Sequence, residues 1–270
     1  MKKLTVFCAA ACLAASAAAQ NHPDLHEVLD RQKGRNLIEI PKGTYTLDVR
    51  SNGPYKFHNL TDVHINGNGS TVICNNQEQA FSFYNCVRVE LRDLTIDYDP
   101  LCFTQGEITA VAEDGSWFDV RIDEGYPVTG LAANRVQFYD PQTRLLKRNS
   151  ITTYTSNYSA LKQLGHNLFR AVKNGTWSAG EQVGDLVVMD VKTDKPNASV
   201  HTVMLNKCYN TKLENVTVYG SNTFSFFEKE GYANEYRNCV VDRGPMPQGI
   251  RPRLRSGNAD GIHSSQARKG

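Results

Sequence analysis

Apolar and polar residues alternate over short stretches along most of the chain, and the stretches recur. NLTDVHINGNG from Asn59, NCVRVELRDLTIDYD from Asn85, KCYNTKLENVTVYGS from Lys207 and ANEYRNCVVDRG from Ala233 share one pattern. Each carries apolar residues at alternate positions, a short turn with Asn or Asp, and a second β-rich piece. Period-two alternation predicts half-buried strands. Val63 and Ile65 align with Val89 and Leu91, and Leu94-Thr95-Ile96 aligns with Val216-Thr217-Val218 and then with Cys239-Val240-Val241. A further strand precedes these units in Phe81-Ser82-Phe83-Tyr84, Val203-Met204-Leu205-Asn206 and Phe224-Ser225-Phe226-Phe227. Three short strands per repeat of roughly two dozen residues, with turns too tight for crossover helices, predict an all-β chain wound into successive coils of a parallel β-helix. Asn at the turns then has a structural reason, because it tolerates left-handed backbone and bonds its own main chain.

The ends and the middle depart from the repeat. Leu25, Val28 and Leu29 have helical spacing and predict a cap helix, followed by a strand in Asn36-Leu37-Ile38-Glu39-Ile40. Such a cap covers the open edge of the first coil. Between residues 98 and 198 the repeat stops. There GEITAVAEDGSWFDVRIDEGYP alternates around Asp114-Gly115, a hairpin signal, and EQVGDLVVMDV is another strand. The predicted organisation is a leader in residues 1–19, a cap and first coils in 20–97, an inserted antiparallel β-subdomain in 98–200, and further coils in 201–270. Cys86 and Cys208 occupy equivalent coil positions on either side of the insert, so a disulfide between them is a hypothesis limited by strict bridge geometry.

Composition narrows the function. With 40% hydrophobic residues in 270, disorder is excluded. Lys2 and Lys3, an apolar run through Ala15 and Ala17-Ala18-Ala19 before Gln20 form a secretory signal, which predicts export to the periplasm or the outside. The apolar run is shorter than the ~20 residues of a spanning helix, which disfavours a retained anchor, and Cys8 and Cys12 match a lipidation box poorly. Removing Lys2 and Lys3 brings the 30 basic residues level with the 28 acidic ones, so no nucleic-acid partner is expected. The five cysteines left after the leader include no CxxC pair, which fits neither a disulfide framework nor a zinc site. The six Asn-x-Ser/Thr sequons, at Asn59, Asn68, Asn157, Asn174, Asn197 and Asn215, are read as turn asparagines, since the short Met-Lys-Lys leader looks bacterial. Asn66-Gly67-Asn68-Gly69 lacks the third glycine and the helix of a dinucleotide site, and no Walker, HExxH or GxSxG motif occurs, so no cofactor is expected.

The candidate chemistry lies in RGPMPQGIRPRLRSGNADGIHSSQARKG, from Arg243. Asp260, between Ala259 and Gly261 at the start of a strand pattern, is placed to project from a turn into a groove. The same pattern also fits an Asn/Asp turn in one more coil. Asn258 and His263 are candidate hydrogen-bonding partners of a sugar. Arg251, Arg253 and Arg255 alternate, and could bind an acidic substrate or form a solvated loop face; Arg255 is the candidate ligand. Trp117 and Trp177 are aromatic surfaces with core packing as their commoner fate.

IPKGTY at Ile40, NLTDVHINGNGS at Asn59, LTIDYDP at Leu94 and NADGIHSS at Asn258 resemble the pectin-lyase-like right-handed β-helix superfamily. Within it they resemble glycoside hydrolase family 110, the exo-acting α-1,3-galactosidases, and more distantly the family 28 polygalacturonases. The resemblance implies an inverting exo-glycosidase acting on α-galactosides, with Asp260 as one catalytic carboxylate and Asn258, Arg255 and His263 on the glycan. It also implies an Asp-Asp pair about one coil later, which the sequence does not contain, so the chain reads as the front part of a longer enzyme, inactive alone. A polygalacturonase or pectate-lyase-like enzyme, and a non-catalytic carbohydrate-binding or adhesive β-helix, are the alternatives.

Overall fold

The computed structural model describes residues 22–191, 201–257 and 260–266. The expected leader, the Asn197 sequon and Asn258 lie outside the described residues. The architecture is all-β: two parallel sheets, one antiparallel sheet and short helices. No helix among the described residues is long and apolar enough to cross a membrane.

The parallel pairings follow the repeat. Val63 pairs with Val89 and Ile65 with Leu91. Leu94 pairs with Val216 and Thr95 with Thr217, and Thr217 and Val218 pair in turn with Val240 and Val241. Thr61–Cys74 and Val87–Tyr98 are long strands that each cover two stretches of a turn, so two of the three expected strands run together. They pass through left-handed residues at Asn68 and Asp93. The third stretch forms its own sheet from Tyr55–His58, Phe81–Tyr84, Val203–Asn206, Phe226–Lys229 and Ile262–Ser265.

Left-handed residues fall in aligned rows, because each turn must bend at the same place to keep register. Asn59, Asn85, Lys207, Glu230 and Gln266 form one row, with φ between 52° and 57°. Asn85 donates to the Asn59 carboxamide oxygen at 2.8 Å, and Asn215 donates to Asp93 at 2.8 Å. Lys207 and Glu230 lack the local hydrogen-bonding reason of Asn, so the stack imposes this backbone at a cost of about 1–2 kcal/mol each. Three sequons, Asn59, Asn68 and Asn215, occupy such bends.

Side chains pointing inward stack turn on turn. Phe57 lies on Phe83 with centroids 4.7 Å apart, and Leu205 follows on the next turn. The helix Leu25–Asp30 buries Leu25 and Leu29 against this core and is capped by Asp24, which accepts from the His26 amide. Cys86 and Cys208 do lie on neighbouring turns, as free buried thiols rather than a bridge. The Cys208 thiol bonds to Cys86, which lowers the Cys86 pKa to about 7 and raises that of Cys208.

One expected strand is displaced. The pairing partner of Val203 is Phe226, not Phe224, so the strand is Phe226–Lys229. A two-residue slip keeps every side chain on its own face, so hydrophobic alternation cannot detect it. The slip puts Glu228 in the inward row after Leu205, where it accepts from Asn234 at 2.7 Å. Gly231 makes room, since a Cβ there would come within 2.1 Å of the Glu228 carboxylate.

Strands between Phe103 and Val191 form a separate antiparallel sheet with its own core around Phe118, Phe138 and Val187. Phe103–Val111 and Trp117–Ile122 pair as the expected hairpin, with Gly115 at φ 73°. Leu186–Val191 runs between two neighbours and is buried along its whole length.

Candidate functional site

The segment before Ile262–Ser265 brings Asp260 and His263 together. The Asp260 carbonyl accepts from Ser225 and the Gly261 carbonyl from Phe226, which fixes this last described strand on Phe226–Lys229. His263 Nδ1 lies 2.8 Å from Asp260 Oδ2, with the carboxylate 60% and the imidazole 40% exposed. Among the described residues the other ring nitrogen, Nε2, has no partner.

His263 is also part of an aromatic column. Its ring lies 4.2 Å from that of Phe224, with planes 2° apart, and Phe224 stacks in turn on His201 at 4.9 Å and 8°. Phe227, the register partner of His263, tilts against His201 at 4.2 Å. The pairing explains the column: His201 and Phe224 each sit two residues before paired strand starts, and Thr202 donates to the Phe224 carbonyl. His201 is 5% exposed, and its Nδ1 lies 2.8 Å from Thr223 Oγ1. Burial, helped by the nearby His263, pulls its pKa down to about 4, so it is neutral at pH 7.

Sequence reasoning singled out Asp260 and His263 but missed His201, Phe224 and Phe227. The usable signal was positional: His201 stands before Val203 as Phe224 stands before Phe226. Reading Phe224 as the first residue of a strand hid it.

The alternating arginines are far from this column in role. Arg253 grips Asp97 through both terminal nitrogens at 2.8 and 2.9 Å, and the pair is nearly closed to solvent. Burial raises the Asp97 pKa even against the pull of Arg253. Arg255 pairs with Asp190 at 2.7 Å, 4% exposed, its guanidinium 5.0 Å from the Phe103 ring. Arg251 reaches Asp123 at 3.0 Å. Leu254 donates its amide to Gln105, and Tyr126 donates to the Arg251 carbonyl. The segment is therefore a strap that ties the antiparallel sheet to the parallel stack. The solvated loop face considered from sequence is not found at Arg253 or Arg255, because each is paired with a carboxylate from a distant strand. Trp117 has the Arg170 guanidinium 3.5 Å above its ring, and Trp177 packs beside Tyr158 and under Lys173.

No family model matches the chain, and no curated protein matches it. Membership of the glycoside hydrolase families that its motifs resemble is therefore not supported. Among solved structures it is similar to the Gp54 tailspike of Acinetobacter baumannii bacteriophage AP22, solved in complex with A. baumannii capsular saccharide. That likeness has 12% identity and a TM-score of 0.26, and covers 89% of this chain and 46% of the tailspike. This chain thus spans less than half of the tailspike's length.

Proposed function

We propose that the chain is an exported, right-handed parallel β-helix protein that binds a glycan on the outward face of the sheet ending in Ile262–Ser265. Parallel strands stacked in register over successive turns support the helix, and crossover connections between parallel strands are right-handed almost without exception. The observation that carries the binding reading is the edge formed by Asp260, His263 and Phe224. The half-exposed His263 ring, backed by Phe224 and standing beside an exposed carboxylate with its Nε2 open, offers both of the contacts a sugar makes, ring packing and hydroxyl hydrogen bonds.

A narrower reading makes Asp260 one member of the acid/base set of an inverting exo-glycosidase acting on α-galactosides, with a polygalacturonase or pectate-lyase-like activity as the alternative. The exposed carboxylate held by His263 favours it. Inversion needs a second carboxyl about 6.5–9.5 Å away. The outward rows of this sheet carry none among the described residues, so glycan binding is the conclusion. Glycan-array screening tests it: the chain should bind, and Phe227→Ala and His263→Ala should each abolish binding without lowering the melting temperature by more than a few degrees. Binding that survives in both folded variants would overturn the site.

A further inference from the structure

The two parallel sheets treat surface charge differently. On the sheet containing Thr61–Cys74, Val87–Tyr98 and Lys212–Tyr219, cations meet carboxylates on the same or the next turn. Arg88 pairs with Asp62 at 2.6 Å, Arg92 with Asp93 at 2.7 Å and Lys212 with Glu90 at 3.3 Å. Alternation of sign removes the repulsion that like charges would suffer on strands about 4.8 Å apart.

The sheet ending in Ile262–Ser265 lacks that balance. One outward row reads Lys56, Ser82, Met204, Phe227, His263, and the next reads His58, Tyr84, Asn206, Lys229, Ser265. Neither row holds a carboxylate; the acids that flank them are Asp260, held on His263 before the last strand, and Glu230 after Phe226–Lys229. Among the described residues Lys56 has no acidic partner, and Lys207 and Lys229 share Glu230 at 3.8 and 3.9 Å, beyond hydrogen-bonding distance. Tyr84 is exposed beside them, with the Lys207 ammonium 6.0 Å from its ring centre.

We infer that this face binds an anionic glycan, carboxylated or sulfated. Lys56, Lys207 and Lys229 meet its acid groups, and Tyr84 and Phe227 pack on its rings. The inference rests on the glycan-binding reading and adds the charge of the ligand. The matched sheet shows how this chain neutralises its own lysines. A polyanion supplies a partner to Lys56 and a closer one to Lys207 and Lys229, which share one carboxylate; a neutral glycan supplies neither.

The test is affinity electrophoresis of the full 270-residue chain through gels holding polygalacturonate, a sulfated galactan or a neutral galactan. It is run at ionic strengths of about 0.01 and about 1 M, where charges are screened beyond ~30 and ~3 Å. Retardation by one or both polyanions, weakened at high salt, supports the inference and tells carboxylate from sulfate. Lys56→Ala and Lys229→Ala should each weaken it roughly fivefold, as for an exposed charge pair, and Lys212→Ala on the matched sheet should not. Unaltered melting temperatures exclude misfolding of these surface variants. Retardation by the neutral galactan alone, or retention in both lysine variants, overturns the anionic assignment and leaves glycan binding standing. No retardation by any glycan, together with an empty glycan array, removes both.

Discussion

The imidazole of His263 lies parallel to the phenyl ring of Phe224, 4.2 Å away, while Asp260 holds its Nδ1. The stack and the hydrogen bond together fix which way the imidazole faces, so the open Nε2 is aimed rather than free to swing. Phe224→Ala removes the middle of the column. It should cost about 1–3 kcal/mol of stability, given that the ring is half-buried, and should lower glycan affinity at least tenfold, on the scale of an aromatic contact at a binding centre. Calorimetric melts and titrations of the variant check the two effects separately.

His201 should make the column acid-sensitive. Its pKa falls from 6.5 to about 4 in the folded protein because it is buried and next to His263. Below 6.5 the unfolded chain takes up a proton that the folded chain refuses. Its contribution to stability is therefore complete above that pH and is lost as the pH falls towards 4. The slope approaches about 1.4 kcal/mol per pH unit in that window. Urea midpoints of the wild type and His201→Phe, which keeps a ring but cannot titrate, should converge or cross as the pH is lowered; parallel curves would contradict the assignment.

Arg253 and Asp97 are a buried pair, and removing one partner strands the other. Arg253→Met should cost roughly 3–5 kcal/mol. Adding Asp97→Leu to it should recover most of that loss, because the uncompensated carboxylate is gone. Denaturant unfolding of both single variants and the double variant measures the recovery.

Gly67 sits where a Cβ would come within 2.4 Å of the Asp93 carbonyl oxygen. Backbone cannot yield as a flexible side chain does, so Gly67→Ala should destabilise by about 1–3 kcal/mol. Gly165, whose nearest neighbour to an added Cβ is 3.7 Å away, should accept alanine with little change. Melting temperatures of the two variants make the comparison.

Much of the fold was legible because a stacked parallel architecture repeats its local code. Val63 over Val89 and Leu94 under Val216 are matched by identity of type, and the structure pairs them so. Period two also set the limit: it put Phe224 and Phe226 on one face, whereas Phe226 pairs with Val203 and turns into the core and Phe224 joins the outward column with His263. The arginine strap was opaque for another reason. Arg253 and Asp97 lie 156 residues apart, and no local pattern announces such a partner. Asp260 and His263 were visible as neighbours in one motif, whereas His201 and Phe224 joined them only through the register of successive turns.

Imidazole NMR of the full chain during glycan titration tests the central claim most directly. The seven histidines are spread over the molecule, with His64 on the charge-matched sheet and His166 at the antiparallel sheet. With a glycan identified on the array, the signals of His263 and His201 should shift together and saturate while those of His64 and His166 stay fixed. Saturable shifts at His64 or His166 with His263 and His201 unmoved would place the glycan elsewhere and contradict the account.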